Sequence, residues 1–378
     1  MSDASHPLLP PATPLLRDGT AGVQIGGVDS TDGIRLGPDA AGVAAFLRGL
    51  DGRRAQRTVL ADAAGRGLDP GGVARVLDRL RAARLLVDLD AADLLAADAG
   101  PAAAARTATE LPAALAPAPG SWQARRNAVV VVEGATRVGS PLAAMLAASG
   151  VGRVSVADPG LTGAGDAIVG GLSTADEGRP RALAAADAVR RANPLTDLRP
   201  LPPGTTADLV VLARPWAASD PLVAGIHRAG VPHLVATVRG ETGIVGPLVV
   251  PGATSCLRCG DLHRRDADPR WPRLAAQLTA ADPPPSGATV TCLLTAATAA
   301  LQVLAFIDGN AAPGTLDATL ELRPPDLQPR LRRWPVHPAC DCRAASVVPR
   351  PSGATTRSGD AAATPPGTDA PRQGTMGG

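Results

Sequence analysis

The stretch "VVVVEGATRVGSP" at 129–141 constrains the fold of this chain more than any other segment. Its valine run predicts a buried strand, and a turn bounded by glycines then leads into an apolar helix. The alternation continues with strands near 154–157, 209–212, 233–238 and 244–250, and with helices near 138–149, 180–192 and 221–229. Such alternation indicates a largely parallel sheet with right-handed crossovers, so we expect an α/β domain over 121–347.

Composition and charge argue against nucleic acid as a partner. Aromatic residues make up 2% of the chain and Tyr is absent, so Ala, Val and Leu must build the core, as in helices packed on a sheet. The formal net charge is +2, and acidic and basic residues are intermixed along the chain. We therefore expect no nucleic-acid partner.

No membrane partner is expected either. Residues 1–14 lack the charged start and apolar core of a signal peptide. The longest apolar run, Val290–Ile307, contains several threonines and Gln302, which predicts an amphipathic helix buried in the fold. A cytoplasmic location is expected, with cysteines that are reduced or bind metal.

Residues 1–90 predict a small α+β domain. Val23–Val28 and Ile34–Leu36 predict a hairpin, three helices follow near 43–50, 55–65 and 70–80, and Leu85–Val87 would close the sheet. Asp69 followed by proline is a typical start for the third helix. This order resembles a winged helix. Because the third helix carries only scattered arginines, an open sheet edge that binds a peptide as an added strand is favoured over DNA binding.

Two segments flank the large domain. Residues 91–120 are rich in Ala and Pro, and we interpret them as a linker. Residues 348–378 are rich in Pro, Gly, Ser and Thr and have few large apolar side chains. They cannot bury enough apolar surface to offset the entropy of ordering, so we predict that they are disordered.

The glycine loop at 134–139 has the spacing of a dinucleotide-binding turn. Gly134 and Gly139 occupy its first and third glycine positions, and Thr136 stands where the middle glycine lets phosphate approach the backbone. Asp158 lies 19 residues after Gly139, at the end of the second strand, where a carboxylate can bind ribose hydroxyls. A structural strand–turn–helix without a ligand fits these residues equally well.

Four of the five cysteines form two close pairs in the sequence: Cys256 with Cys259, and Cys340 with Cys342. Four thiolates suit tetrahedral Zn²⁺, and a site with all four positions filled would be structural. His337 is a potential substitute for one ligand, and free thiols or a disulfide within one pair are the alternatives. Cys292 has no charged neighbours in the sequence, which predicts a buried core thiol.

Several short sequences then occur in the order typical of one known family. They are "ADEGRPRA" at 175–182, "NP" at 193–194, "ADLV" at 207–210 and the stretch from 227 that ends in "CLRCG" at 256–260. With these, the chain resembles the ThiF/MoeB family, relatives of the ubiquitin-activating enzymes. The resemblance implies a ThiF/MoeB-like Rossmann-type fold with structural zinc. It also implies ATP-dependent adenylation of the C-terminal glycine of a small carrier protein, with Arg181 in place of the family's lysine.

The same resemblance shows departures at the adenylation site. Val169 occupies the place of the family's arginine after the second strand, and Leu212 and Pro215 occupy the places of two aspartates. Metal and arginine supply most of the transition-state stabilisation in such a reaction, so their loss should slow it by on the order of three decades. No catalytic residue is identified, and ATP with Mg²⁺ is retained as the cofactor pair of the alternative, an active adenylyltransferase.

The order of domains also resembles the leader-peptide-binding partner proteins of azoline-forming peptide natural product pathways. In those systems a separate YcaO protein consumes ATP. The resemblance implies that residues 1–90 capture a precursor's leader peptide, that the ThiF-like domain is a scaffold, and that a YcaO-type enzyme acts in trans. A homodimer is implied by the same relatives. The alternative partner is a small carrier protein whose C-terminal glycine is adenylated.

Overall fold

The computed structural model describes residues 5–17, 22–28, 33–37, 41–90, 94, 109–115, 120–202, 204–216, 220–277, 286–309 and 311–342. The tail predicted at 348–378 and most of the linker predicted at 91–120 lie outside these residues. The strands of the described part are β1 (His6–Leu8), β2 (Leu15–Arg17), β3 (Val23–Ile25), β4 (Ile34–Leu36), β5 (Val87–Leu89), β6 (Val129–Glu133), β7 (Arg153–Ala157), β8 (Leu209–Leu212), β9 (His233–Arg239), β10 (Thr242–Val249), β11 (Ala318–Leu322) and β12 (Pro329–Arg333).

The helices of the described part are α1 (Ala41–Leu47), α2 (Gln56–Gly65), α3 (Pro70–Ala82), α4 (Glu110–Leu115), α5 (Ser121–Asn127), α6 (Gly139–Ala148), α7 (Arg181–Ala192), α8 (Pro221–Arg228), α9 (Leu257–Ala267), α10 (Trp271–Gln277) and α11 (Thr289–Asp308). Short 3₁₀ turns at Ala164–Asp166 and Thr174–Asp176 interrupt the connection from β7 to α7.

A seven-stranded sheet with the order β12-β11-β10-β9-β8-β6-β7 forms the centre of the large domain. Strands β7, β6, β8 and β9 run parallel, and β10, β11 and β12 extend the sheet with antiparallel pairs. The predicted strand–helix alternation is confirmed, and the predicted α/β class with it. The parallel strands place the ends of β6, β7, β8 and β9 at one edge of the sheet, which is where ligands bind in open α/β folds.

Alternating side chains divide the sheet into two buried faces. Val130 and Val132 point to the face that packs on α6 and α11, and Val210 and Leu212 point to the face that carries the cysteines. Small residues allow the helices to approach closely, since α6 and α11 contribute mainly Ala to the first face. The scarcity of aromatic residues is therefore matched by close helix–sheet packing.

Helix α11 is the one helix in the described part of the chain that is long and apolar enough to cross a bilayer. Cys292, Ala296, Ala299 and Val303 are fully buried against the sheet and its neighbouring helix. This agrees with the predicted buried helix at 290–307, because the core helix of a globular protein meets the same length and hydropathy criteria.

The first 90 residues form two small sheets and three helices. The predicted hairpin is confirmed, with Val23 opposite Leu36 in the antiparallel pair of β3 and β4, and β2 adds a third strand on the other side of β3. Asp69 caps α3 as predicted, because its carboxylate accepts hydrogen bonds from the amides of Gly71 and Gly72 at 3.1 and 2.8 Å.

One strand prediction in this region is wrong. Leu85–Val87 was expected to close the hairpin sheet, but the strand there is β5, Val87–Leu89, which pairs with β1 in a separate two-stranded sheet. Val87 and Leu89 thereby pack with Leu111 and Trp122 of α4 and α5 rather than with the hairpin. The cause is long-range packing: these apolar side chains find their partners beyond residue 90.

Helix α4 lies inside the segment interpreted as a linker, and α5 follows it. Arg125 of α5 joins this region to the end of α11 through two hydrogen bonds, with Nε and Nη2 at 2.7 and 2.6 Å from the carboxylate oxygens of Asp308. Both side chains are buried away from water, so each charge is stabilised by the other.

Candidate functional site

The glycine loop joins β6 to α6 at the carboxyl edge of the parallel strands. Gly134 has φ +112°, which favours glycine. A Cβ on Gly139 would lie 1.9 Å from the carbonyl oxygen of Gly134 and 2.8 Å from the Cβ of Ala213. Both glycines are therefore required by the packing of strand, turn and helix. No ligand is needed to explain them, in agreement with the interpretation of the loop as a structural turn.

Thr136 does not point into open space above the loop. Its hydroxyl donates to the carbonyl of Ala213 at 2.7 Å and accepts from the amide of Gly139 at 3.1 Å. The threonine thus caps α6 and ties the loop to the end of β8. In a nucleotide-binding turn, the amides at this helix start bind phosphate; here one of them already has a protein partner.

Asp158 and Arg181 are likewise bound within the protein. The Asp158 carboxylate accepts hydrogen bonds from the amides of Ala135 and Gly160 at 2.9 and 2.8 Å. The Nε of Arg181 donates to the carbonyl of Leu161 at 2.9 Å and lies 3.8 Å from carboxylate oxygens of both Asp158 and Asp166. The structure therefore places Gly134, Thr136, Gly139, Asp158 and Arg181 at one edge of the sheet, and their nucleotide-binding role stays a prediction.

Acidic side chains that the sequence analysis missed lie beside this loop. Glu133 ends β6, and burial raises the pKa of its carboxyl group while nearby Arg214 opposes the shift. Arg214 Nη2 lies 3.1 Å from a carboxylate oxygen of Asp220, the residue that caps α8. A carboxylate that ends an apolar strand next to a glycine is a signal that could have identified Glu133 in "VVVVEG".

The residues at the positions of family aspartates cannot bind a cation. Leu212 is fully buried in the core and Pro215 follows the strand end. Val169, at the place of the family's arginine, is 74% exposed. Within the described ranges, the only group of three or more Cys, His, Asp or Glu ligand atoms close enough to share an ion is the cysteine group described below. Glu133, Asp158 and Asp220 do not form such a group.

An apolar cavity of about 720 Å³ lies next to the loop, around the outer edge of β7. Ala157 and Val131 of the sheet, Leu183 of α7 and Ile226 of α8 are among its lining residues, and Glu133 is the one ionisable side chain among the described residues that line it. Its size and apolar walls suit a small organic ligand.

The four predicted zinc ligands converge on one point. The Sγ atoms of Cys256 and Cys259 lie 3.8 Å apart, those of Cys256 and Cys340 lie 3.6 Å apart, and those of Cys259 and Cys342 lie 3.6 Å apart. A tetrahedral ion with metal–sulfur bonds of about 2.3 Å has sulfur–sulfur edges of about 3.8 Å. These separations exclude a disulfide and match a tetrahedral cation.

The chemistry of the thiols supports the same conclusion. Burial raises the pKa of Cys256 and raises that of Cys342 to about 12, and the neighbouring cysteines add to both shifts. Cys256, Cys259 and Cys342 are buried and Cys340 is half-buried, so a bound cation would compensate the charge that these thiols acquire when they lose their protons as metal ligands. His337 does not substitute for a cysteine, because its Nε2 contacts Asp266 at 2.8 Å and its Nδ1 accepts from the amide of Ala339 at 3.0 Å.

Cys292 is separate from this cluster. It is a fully buried residue of α11, its Sγ lies 3.4 Å from the carbonyl of Ser286, and burial raises the pKa of its thiol. A buried thiol with a raised pKa is a poor nucleophile, so the prediction of a core cysteine is confirmed.

Comparison with known proteins agrees with this architecture. The ThiF family model matches residues 113–344. No curated protein matches the chain. E. coli MccB with succinimide is similar in structure, with 16% identity, a TM-score of 0.60 and coverage of 90% of this chain and 99% of that chain. MccB with ATP has a TM-score of 0.59, 16% identity and coverage of 89% and 99%.

A third similar structure is the microcin C7 biosynthetic enzyme MccB in complex with N-formylated MccA. It has 16% identity and a TM-score of 0.60, and the match covers 89% of this chain and 99% of that chain. At this level of identity the likeness shows a shared fold. Because the match spans nearly the whole of MccB, the fold similarity includes the small N-terminal region as well as the large domain.

Proposed function

The chain belongs to the ThiF family, and from that premise we propose that it binds a precursor peptide and serves as a scaffold for its modification, with an adenylation site that has lost its reaction. One observation supports the proposed loss of the adenylation reaction. The polar groups at the glycine loop already have protein partners: Thr136 on Gly139 and Ala213, Asp158 on two amides, and Arg181 on Leu161. A nucleotide phosphate would have to compete with Thr136 for the amide of Gly139 at the start of α6.

The absence of carboxylates at the positions of the two family aspartates also supports the loss of adenylation. Adenylation concentrates negative charge at the α-phosphate, which a divalent cation and an arginine must offset. Leu212 and Pro215 supply no oxygen ligand, and Val169 supplies no charge. The cysteine cluster is proposed to hold structural Zn²⁺, which would join α9 to the segment at 340–342 and leave no open coordination position.

The peptide site is proposed at the outer edge of β4. The carbonyl of Arg35 accepts a hydrogen bond from Arg79 of α3 at 3.3 Å, so this edge faces α3. A peptide added as a fourth strand would lie between β4 and α3 and would gain backbone hydrogen bonds from the sheet. The structure of MccB with N-formylated MccA supports a peptide partner for a protein of this fold.

Mg·ATP calorimetry and ATP–pyrophosphate exchange test the lost reaction. We expect no exchange and no micromolar binding of Mg·ATP. Micromolar binding with exchange would favour the alternative, an active adenylyltransferase of a carrier protein's C-terminal glycine. Glu133 and Asp220 are the residues that would then have to position the metal, and E133Q should abolish the exchange.

Strand addition is tested with candidate precursor peptides taken from the short open reading frames that flank this gene. R35P removes an amide that points away from β3, and it should weaken peptide binding at least about tenfold because proline cannot pair with an added strand. R17P places proline at the opposite outer edge of the same sheet and serves as the matched control. Equal binding by both variants would exclude the β4 edge as the peptide site.

A YcaO-type enzyme in trans, a homodimer and a cytoplasmic location complete the proposal. Co-purification tests the YcaO-type partner, and sedimentation tests the homodimer.

A further inference from the structure

A group of arginines occupies the same edge of the sheet as the glycine loop, two strands away. β9 runs parallel to β8, and β8 runs parallel to β6, so Arg239 at the end of β9 lies at the carboxyl edge where β6 ends in Glu133. Arg264 of α9 and Arg332 of β12 lie near it on the face that also carries the cysteines. None of these arginines has a role in the site described above.

Arg264 is held in place by aromatic rings and one carboxylate. Its guanidinium lies 4.3 Å from the ring centre of Trp334 and 5.1 Å from that of Trp271, and its Nη1 donates to Asp261 at 3.2 Å. The indole of Trp271 donates to the same oxygen of Asp261 at 3.1 Å. These contacts fix the position of the charge before any ligand arrives.

Neither Arg239 nor Arg332 is bound to a carboxylate in this way within the described residues. In the described part of the chain, neither makes a salt bridge or a side-chain hydrogen bond; Arg332 only stacks on Trp334, at 4.1 Å. Burial lowers the pKa of Arg239, and burial together with Arg239 and Arg332 lowers that of Arg264 to about 10, although Asp261 opposes both shifts. Arg239 and Arg264 are half-buried, whereas Arg332 is exposed, and a half-buried guanidinium without an anion is costly.

We propose that Arg264, framed by Trp271 and Trp334, and the neighbouring Arg239 form a binding site for the carboxylate group of a ligand, with Arg332 adding to the positive field. The three arginines exceed Asp261 by two charges, so one carboxylate lowers the repulsion without overcompensating it. A planar guanidinium matches a carboxylate with two parallel hydrogen bonds. The carboxylate has two sources, the end of a peptide chain or an acidic side chain.

The test observes the arginines directly. Arginine Nε–Hε resonances of the full-length protein are followed while N-acetylglycine, the α-amide of N-acetylaspartate or neutral N-acetylglycinamide is added. We expect saturable shifts of Arg239 and Arg264 with a carboxylate probe and none with the neutral amide. Binding of N-acetylglycine alone assigns the site to a chain end, and binding of the aspartate derivative assigns it to a side chain.

Variants separate a specific site from general electrostatics. R239Q should weaken binding of the effective probe at least about tenfold, and R239K should retain part of the affinity, because charge persists without the planar fork. R273Q removes an exposed arginine from α10 and should leave binding unchanged. Shifts that rise linearly with concentration, that chloride reproduces, or that R239Q leaves intact would overturn the proposal, as would tighter binding of inorganic phosphate. Should R239Q unfold, the wild-type titration alone still decides.

Discussion

The cysteine cluster and the glycine loop were both identified by sequence spacing, but their polar groups are in opposite situations. The four thiols contact one another, three of them are buried, and no cationic side chain of the described residues is bound to them. At the loop, Thr136 and Asp158 are bound to neighbouring amides. A site whose donors lack protein partners requires a ligand, whereas one whose donors are satisfied is stable without it. The comparison separates a cysteine cluster that could hold a metal ion from a loop whose polar groups already have protein partners.

The largest effect should come from the cysteine cluster. C259S removes one of four ligands and should abolish stoichiometric zinc, lowering the free energy of unfolding by about 4 kcal/mol or more, because the remaining buried thiolates lose their cation. Metal analysis and urea unfolding measure both quantities. C292A is the control: it truncates a buried cysteine that is not in the cluster and should retain full zinc. A C259S protein that keeps one zinc per chain would show that the cysteine cluster is not the zinc site.

Next in size is a change at the loop itself. G139A places a Cβ against the Gly134 carbonyl and the Ala213 side chain, and should destabilise the protein by about 3 kcal/mol whether or not ATP is added. G65A, at the end of α2 where no atom lies within 4 Å of the added Cβ, should be nearly neutral. If ATP with magnesium raised the unfolding midpoint of G139A to that of the wild type, the loop would be a ligand site.

Lowering the pH should reduce the stability of the large domain, through His233 of β9. His233 donates from Nδ1 to the carbonyl of Val231, its Nε2 has no partner, and burial lowers its pKa to about 4. The unfolded chain therefore binds more protons than the native state between about pH 6.5 and 4, so stability falls as pH falls through that window. From pH 7 to pH 5 the loss is about 2 kcal/mol.

The variant H233L removes this titration and should have a shallower dependence of unfolding free energy on pH over the same range. Urea unfolding at half-unit steps measures both slopes, with zinc content followed in parallel. Identical slopes for the two proteins would show that His233 titrates normally.

The smallest effect concerns Thr136. T136G removes the hydroxyl that bonds to Gly139 and Ala213, and should cost about 1 kcal/mol of stability while freeing an amide at the start of α6. We expect weak ATP binding by this variant, without exchange activity, and none by the wild type. T205V removes a hydroxyl bonded to a carbonyl in an exposed turn and is the matched control. Tighter ATP binding by the wild type than by T136G would reverse the interpretation.

Much of the fold could be predicted from local pattern. The strands β6, β8 and β9 and the helices α3, α6, α7 and α8 agree with the expected ranges to within about two residues, because each has a clear apolar period and a capping or glycine signal. Strands β11 and β12 and helices α9 and α10 were not predicted. Strand β12 is exposed throughout, and α10 buries no residue, so neither shows the burial pattern on which such predictions depend.

The sequence by itself determined which residues can act: two cysteine pairs, a glycine turn, a carboxylate after the second strand and the absence of family aspartates. Only the tertiary structure decided what they do. It brings Cys256 and Cys340 to 3.6 Å across 84 positions of the chain, turns Thr136 into a cap, and places Arg239 near Arg264 without a salt bridge of its own among the described residues. The reason is physical: residue type fixes the chemistry that a group can offer, whereas burial and neighbours fix whether that chemistry is already satisfied.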